Sequence, residues 1–229
     1  MNGTKQGSAN KIYAKKVLDM IFIPNLSMKQ KDLEIILQKV PFYEHPDPSI
    51  EQYMTPANIA ANIIFTAFQF GDVEDKKVVD LGCGTGIFSF GAKIANAKEV
   101  IGIDIDKESI EIAKKYAEKI NEDIQFIAQD VKDVDIKCDT VIMNPPFGAQ
   151  KSNRQADRGF IEKGFDISKV IYSLHLAKTI PFIEKLVSAL NGKIIYEKNY
   201  KFSIKQTYFF HTKKLEKLDV TLVRILTNP

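Results

Sequence analysis

Apolar and polar positions along this chain fall into alternating blocks of two kinds. Lys77-Val78-Val79-Asp80-Leu81, Glu99-Val100-Ile101-Gly102-Ile103-Asp104 and Ile124-Gln125-Phe126-Ile127-Ala128-Gln129 are short and apolar, a pattern that predicts buried strands. After the second of them the apolar residues Ile110, Ala113, Ala117 and Ile120 recur at roughly helical spacing, so 107–120 reads as a helix. Residues 31–40, 57–68 and 87–95 are helix-like too. Thr140-Val141-Ile142-Met143 and residues 170–174 add two strands, and 177–190 a helix ending near Gly192. The stretches 194–196 and 220–225 read as the last long strands, which makes seven. Strands alternating with helices predict an α/β fold: a parallel sheet with helices on both faces. Thr55 reads as an N-cap with Pro56 at the first helical position of 57–68.

Chemistry enters at the strand ends. Gly82-Cys83-Gly84-Thr85-Gly86 stands between the first strand and a helix, where glycines let a backbone approach a ligand closely. Nucleotide-binding folds of many kinds use such a turn, so alone it says little. Asp80, two residues before the first glycine, changes the picture. A carboxylate there would repel a pyrophosphate at the helix N-terminus and suits a ligand with an ammonium group and no phosphates. That disfavours a nicotinamide dinucleotide and favours S-adenosylmethionine. Asp104 ends the second strand, near the spacing at which an acid meets ribose hydroxyls in dinucleotide folds. Asp130 follows the third strand, placed to accept from an adenine amino group with Val131 against the ring. A single strand-end acid is as often the cap of the next helix, but three in register after successive strands are harder to dismiss.

Asn144-Pro145-Pro146-Phe147 follows the fourth strand. Proline cannot donate a ladder hydrogen bond and biases the residue before it away from helical geometry. Two in a row stop the strand and stiffen it. The Asn144 side chain and the Pro145 carbonyl can then aim at one point and accept both hydrogens of an exocyclic amine, while Phe147 offers a flat face for the attached ring. The plain alternative is a Pro-Pro loop after a buried strand.

The Asp-Leu-Gly-Cys-Gly-Thr-Gly turn, Asp104, Asp130 and Asn-Pro-Pro-Phe together resemble class I S-adenosylmethionine-dependent methyltransferases that modify exocyclic or amide nitrogens. Glu51-Gln52-Tyr53-Met54-Thr55-Pro56, the string Asp139 to Gly148, and Tyr172-Ser173-Leu174-His175 look like the archaeal and eukaryotic methyltransferase-like-five group. The resemblance runs from about Lys29 to Arg224. It implies a Rossmann-like, seven-stranded, mostly parallel sheet with a late antiparallel strand, and methylation of adenosine N6 in small-subunit ribosomal RNA. By the same resemblance Gln52, Tyr53 and Thr55 close over the cofactor, and Asp80, Gly82, Cys83, Gly84, Gly86, Asp104, Asp130, Val131 and Asn144 bind it. Asn144, Pro145, Pro146 and Phe147 carry the catalysis, and His175 has a positioning rather than a basic role. Eukaryotic relatives work with a small zinc-binding activator subunit, which makes such a partner an expectation here. Guanine-N2, DNA adenine and release-factor glutamine methyltransferases share the motif and stay open, as does a cofactor-binding module without turnover.

Composition adds modest constraint. The length of 229 residues fits one α/β domain with a sizeable core. Cys83 lies in the glycine turn and Cys138 beside a buried strand, so a disulfide is not expected and a reducing, cytoplasmic setting is. The three histidines are far apart with no cysteine near them, and no metal cluster is expected. No apolar run approaches the roughly 18 residues of a membrane helix, so no membrane partner is expected.

The net charge of +3 is unevenly spread. Residues 28–150 carry 13 basic and 21 acidic side chains, whereas 151–229 carry 15 and 7. A basic half beside the Asn-Pro-Pro-Phe motif suits a phosphate backbone. Lysine outnumbers arginine 29 to 3, which favours backbone neutralisation over base reading. Residues 148–158 lack apolar periodicity and read as a loop over the substrate, with Lys151, Arg154 and Arg158 as its phosphate contacts. The cluster Tyr208-Phe209-Phe210-His211 is either a stacking platform for unpaired bases or the packing of an irregular strand.

Residues 1–27 are different. Met20-Ile21-Phe22-Ile23 is too short, and too soon broken by Pro24, for a secretory signal. The expected organisation is an extension over 1–27 and one methyltransferase domain over 28–229, with 28–55 its N-terminal helix and cofactor-covering segment. The alternative for 1–27 is a basic arm, with four lysines against Asp19.

Overall fold

The computed structural model describes residues 28–42, 54–147, 156–204 and 216–227. Seven strands, β1 (Lys77–Leu81), β2 (Glu99–Asp104), β3 (Gln125–Ala128), β4 (Thr140–Met143), β5 (Val170–Leu176), β6 (Lys193–Ile204) and β7 (Glu216–Leu226), form one sheet. Their spatial order is β3-β2-β1-β4-β5-β7-β6. The first five are parallel, and β7 runs antiparallel to both β5 and β6. The mostly parallel, Rossmann-like sheet is the one expected.

Six α-helices complete the described residues: α1 (Gln30–Leu37), α2 (Ala57–Gln69), α3 (Ile87–Ile94), α4 (Lys107–Ile120), α5 (Ala156–Ile167) and α6 (Ile180–Ala189). Alternation along the strands sorts the core into two layers. Val78, Ile142, Tyr172 and Leu174 face α1 to α4, among Leu33, Ile63, Ile64, Phe90 and Ile110. Val79, Leu81, Val141, Met143 and Ile171 face α5 and α6, among Ile161, Ile167, Ile183 and Val187. A strand buried on both faces has no polar side to show, which is why β1 and β4 read as continuous apolar runs.

The chain leaves β1 for β2 and β3 on one side, then returns to place β4 on the other. That reversal opens a crevice at the carboxyl ends of β1 and β4, where ligands bind in open α/β sheets. The glycine turn and Asn144 follow those two strands directly.

Helix α4 is bounded by local chemistry. The Asp106 carboxylate accepts from the backbone N–H groups of Glu108 (3.2 Å) and Ser109 (3.1 Å) at its start, and Asn121 at φ 58° ends it in the left-handed region. Buried polar groups tie β5 and β7 to the end of α2. Arg224 Nε and Nη2 donate to Asp72 at 2.7 and 3.0 Å, and the Tyr172 hydroxyl donates to the same carboxylate at 2.6 Å. Phe70 lies 4.6 Å from the guanidinium.

Four elements differ from expectation. Helix α5 begins at Ala156, inside the segment read as a loop, and covers residues with no sequence reading of their own. Gly159 and Gly164 dilute its apolar pattern. Gly164 is required by packing, because a Cβ there would come within 2.8 Å of Ile171 Cδ1. Strands β6 and β7 are far longer than 194–196 and 220–225; polar side chains alternate along β6, which lies at the sheet edge and can expose them. Thr55 is not a cap: α2 starts from Pro56 with no side-chain cap bond. The extension 1–27 and the cluster 208–211 lie outside the described residues.

Candidate active site

The glycine turn is built by its backbone. Gly82, Gly84 and Gly86 all have positive φ, at 71°, 53° and 93°. Only glycine takes such a series without strain. Gly84 N–H donates to Asp104 Oδ2 at 2.7 Å, and Asp104 Oδ1 accepts from Asp106 N–H at 2.9 Å. One carboxylate at the end of β2 thereby braces both the turn and the start of α4. Burial raises its pKa above the ordinary carboxylate value, against those hydrogen bonds.

Asp80 lies deeper. It is fully buried, and its Oδ2 accepts from Ser89 N–H (2.9 Å) and from the Ser89 hydroxyl (2.7 Å). Ser89 is in the first turn of α3, so Asp80 satisfies an orphan donor of that helix. Burial pushes its pKa up to about 7, with the Ser89 hydrogen bonds opposing. Its Oδ1 has no partner among the described residues. Cys83 is buried beside it, and burial together with Asp80 raises its thiol pKa well above the usual value.

The three acids are not level. Asp80 pairs with Gly102 and Asp104 with Ala128. Asp104 therefore stands two residues farther along the sheet than Asp80, and Asp130 two residues beyond Ala128. The expected common register is a staircase, which explains their different surroundings. Asp130, on the outermost step, caps the short turn Val131–Asp133 by accepting from Lys132 N–H at 3.0 Å, and pairs with the Lys132 ammonium at 3.0 Å. Those contacts lower its pKa, the backbone bond most. Val131 packs against the α5–α6 layer.

At the end of β4, Asn144 Nδ2 donates to Thr55 Oγ1 at 3.1 Å, while Asn144 Oδ1 is buried with no partner among the described residues. A narrow cavity joins these parts, lined by Met54, Thr55, Gly82, Cys83, Gly84, Thr85, Ile87, Phe88 and Asn144. Met54, Thr85, Ile87 and Phe88 were not singled out in the sequence. Thr85 was legible as the polar member of the glycine turn; its hydroxyl donates to the Pro41 carbonyl at 2.7 Å and ties Pro41 to the turn. Asp80 does not line the cavity.

Pro145 and Phe147 are buried, and Pro146 is half-buried. Phe147 packs in the α1–α4 layer at 8 % exposure, so the open stacking face expected from the sequence is covered. Phe160 of α5 approaches from the other side, 3.0 Å from where a Cβ of Gly82 would be. Arg158, expected on a loop, is instead exposed on α5, where it pairs with Glu162 at 2.8 Å. His175 is fully buried, with Nδ1 2.9 Å from Asp157 Oδ1. It shares the face of Ile171, under α5, whereas Asn144 meets Thr55 at the start of α2. Gln52, Tyr53, Lys151 and Arg154 lie outside the described residues. Among the described residues no group of three or more His, Cys, Asp and Glu could hold a metal ion, and no helix is long and apolar enough to cross a membrane.

Residues 57–167 match the family model Methyltransferase small domain. The chain is 40 % identical over 210 residues to the uncharacterised protein MJ0284 of Methanocaldococcus jannaschii, covering 86 % of this chain and 94 % of that one. It is 34 % identical to the rRNA N6-adenosine-methyltransferase METTL5 of Danio rerio, covering 86 % and 98 %. The crystal structure of PH1948 from Pyrococcus horikoshii, described as a candidate RNA methyltransferase, superposes with a TM-score of 0.81 at 37 % identity, over 89 % of this chain and all of that one. Similarity at this level over 86 % of the chain, on a sheet whose switch point carries the glycine turn and Asn-Pro-Pro-Phe, makes the chain an S-adenosylmethionine-dependent methyltransferase of the METTL5 family.

Proposed function

We propose that this protein methylates the exocyclic N6 amine of an adenosine in small-subunit ribosomal RNA, in the cytoplasm, as one domain over 28–229 aided by a small zinc-binding activator subunit. The observation that carries the chemistry is Asn144 Oδ1, a buried acceptor with no partner among the described residues, beside the cofactor turn at the end of β4. A buried polar atom left unpaired is costly, and the amine of a target base is the partner that would satisfy it. The names of three relatives at 26–34 % identity support the adenosine and the ribosomal RNA.

The donor set fits the cofactor. Gly82, Gly84 and Gly86 keep the turn free of side chains, Asp104 offers a carboxylate to ribose hydroxyls, and Asp130 retains acceptor capacity for an adenine amino group. When bound, S-adenosylmethionine supplies an electrophilic methyl group. The chain's own residues do the rest. Asn144 Oδ1 and the Pro145 carbonyl accept the two N6 hydrogens, and those bonds strengthen as positive charge develops on nitrogen. Holding the amine in place supplies much of the remaining acceleration. No strong base is required, because the methylated ammonium is acidic enough to lose its proton to water. The target must be unpaired or flipped to reach the crevice.

The test is labelled methyl transfer from S-adenosylmethionine, with nucleoside mass analysis of the product. The chain is offered unmodified small-subunit RNA, matched DNA and a release-factor protein, with and without the activator subunit. N6-methyladenosine in the RNA alone is the expected result. Label in the protein with none in RNA, or no transfer to RNA under either condition, overturns the reading.

A further inference from the structure

Asn62, Phe65, Thr66 and Gln69 of α2, with Phe70 just past its end, recur at helical spacing and form one stripe. Together with Gln30 of α1 and Tyr196 and Lys198 of β6 they line an open cavity of about 370 Å³. It shares no lining residue with the cofactor cavity. Asn62 joins the three elements: its Nδ2 donates to Gln30 Oε1 at 2.9 Å, and the Tyr200 hydroxyl donates to its Oδ1 at 2.5 Å. Phe70 is 46 % exposed, yet held: it meets the Tyr196 ring edge to face, with centroids 5.4 Å apart, and has the Arg224 guanidinium 4.6 Å away. Lys198 lies 5.7 Å from the Tyr200 ring centroid, and no carboxylate lines the cavity. The wall thus offers carboxamides, which match the polar edge of a base, aromatic rings, which match its face, and one ammonium, which matches a phosphate.

We infer that this cavity is a second RNA-binding site, which takes one unpaired nucleotide of the substrate RNA at a distance from the methylated base. The corner of Phe70 and Tyr196 stacks the base, the carboxamides of Gln30 and Gln69 meet its edge, and Lys198 neutralises its phosphate. Helix α2 starts beside Asn144 through Thr55. At a rise of about 1.5 Å per residue, the cavity begins roughly 10 Å along α2 from the crevice and ends roughly 20 Å along it. One RNA strand lying on α2 reaches both sites. Contacts this far from the reacting centre serve the affinity for RNA and leave the transfer step alone. The inference rests on RNA as the substrate proposed above. A free nucleoside monophosphate carries the same base and phosphate, and the test separates the two.

The chain contains no tryptophan, so Tyr196→Trp puts a single fluorescent reporter in the cavity of the full chain. Its emission is titrated with unmodified small-subunit RNA and, separately, with adenosine monophosphate. RNA quenches it saturably, and the mononucleotide does so only at far higher concentration. RNA affinity is then measured against salt for the native chain, Lys198→Ala and Phe70→Leu, with thermal midpoints to show that each is folded. Lys198→Ala lowers the slope of log affinity against log salt by roughly one. Phe70→Leu weakens RNA binding about fivefold to hundredfold at fixed salt. In both variants the KM for RNA rises and kcat at saturating RNA is unchanged. No quenching by RNA, tighter quenching by the mononucleotide, or an unchanged salt slope in Lys198→Ala overturns the inference. So does a loss of activator-subunit binding in the two variants with RNA affinity intact, which would make the cavity a protein-docking site. If the native chain binds RNA but methylates none, the proposed function fails, and the quenching and the salt slope still decide whether this cavity holds RNA.

Discussion

Asp80 accepts both the backbone N–H and the hydroxyl of Ser89 through a single carboxylate oxygen, at 2.9 and 2.7 Å, and does so fully buried. Folding raises this carboxyl from 3.8 to about 7. Between those values the folded chain keeps a proton that the unfolded chain has released. Stability therefore falls as pH climbs through that interval and levels off above it. The full span is on the order of 4 kcal/mol. Asp80→Asn keeps an acceptor for Ser89 and removes the charge. Its thermal midpoint, measured from pH 4 to 8, should gain on the native chain as pH rises. Parallel curves would mean that Asp80 does not titrate in this interval. Asp104, also raised by burial, leaves a residual slope of the same sign.

Asp104 and Asp130 should contribute unequally to cofactor affinity. Asp104 braces Gly84 at 2.7 Å as well as offering itself to the ribose, whereas Asp130 is already neutralised by Lys132 at 3.0 Å. By calorimetry, Asp104→Ala should weaken S-adenosylmethionine binding by roughly tenfold or more, since charge-assisted hydrogen bonds are worth about 1.5–3 kcal/mol. Asp130→Ala should cost several times less. The reverse order would place the dominant contact on the third strand.

Asn144→Ala should abolish measurable transfer while leaving cofactor affinity nearly intact. Removing one pre-positioned group that stabilises developing charge typically costs about 10²–10³ in rate. Single-turnover kinetics with saturating cofactor checks it. A collapse of cofactor affinity would move Asn144 from the amine to the cofactor.

Arg224→Ala should destabilise the fold without touching the crevice. It leaves the buried Asp72 carboxylate facing only the Tyr172 hydroxyl. Removing one partner of a buried pair costs about 3–5 kcal/mol, read as a lower urea midpoint. Replacing Asp72 and Arg224 together by apolar residues of similar volume should recover much of the loss, because the uncompensated charge disappears with its partner.

The sequence by itself determined the alternation of strands and helices, the glycine turn, the acids after three strands and the Asn-Pro-Pro-Phe stop. Each is a local signal: strands buried on both faces must be apolar throughout, positive φ in series demands glycine, and proline ends a ladder. Helix α5 escaped because Gly164, needed for contact with Ile171, breaks the very pattern that reveals helices. Tertiary structure alone decided what each site residue touches. The parallel register made a staircase of Asp80, Asp104 and Asp130, so that one is a buried helix brace, one braces the turn and one pairs with lysine. It covered Phe147, turned Arg158 toward Glu162, and set Thr55 against Asn144. Such pairings join residues far apart in sequence, and they depend on where the strands place their ends.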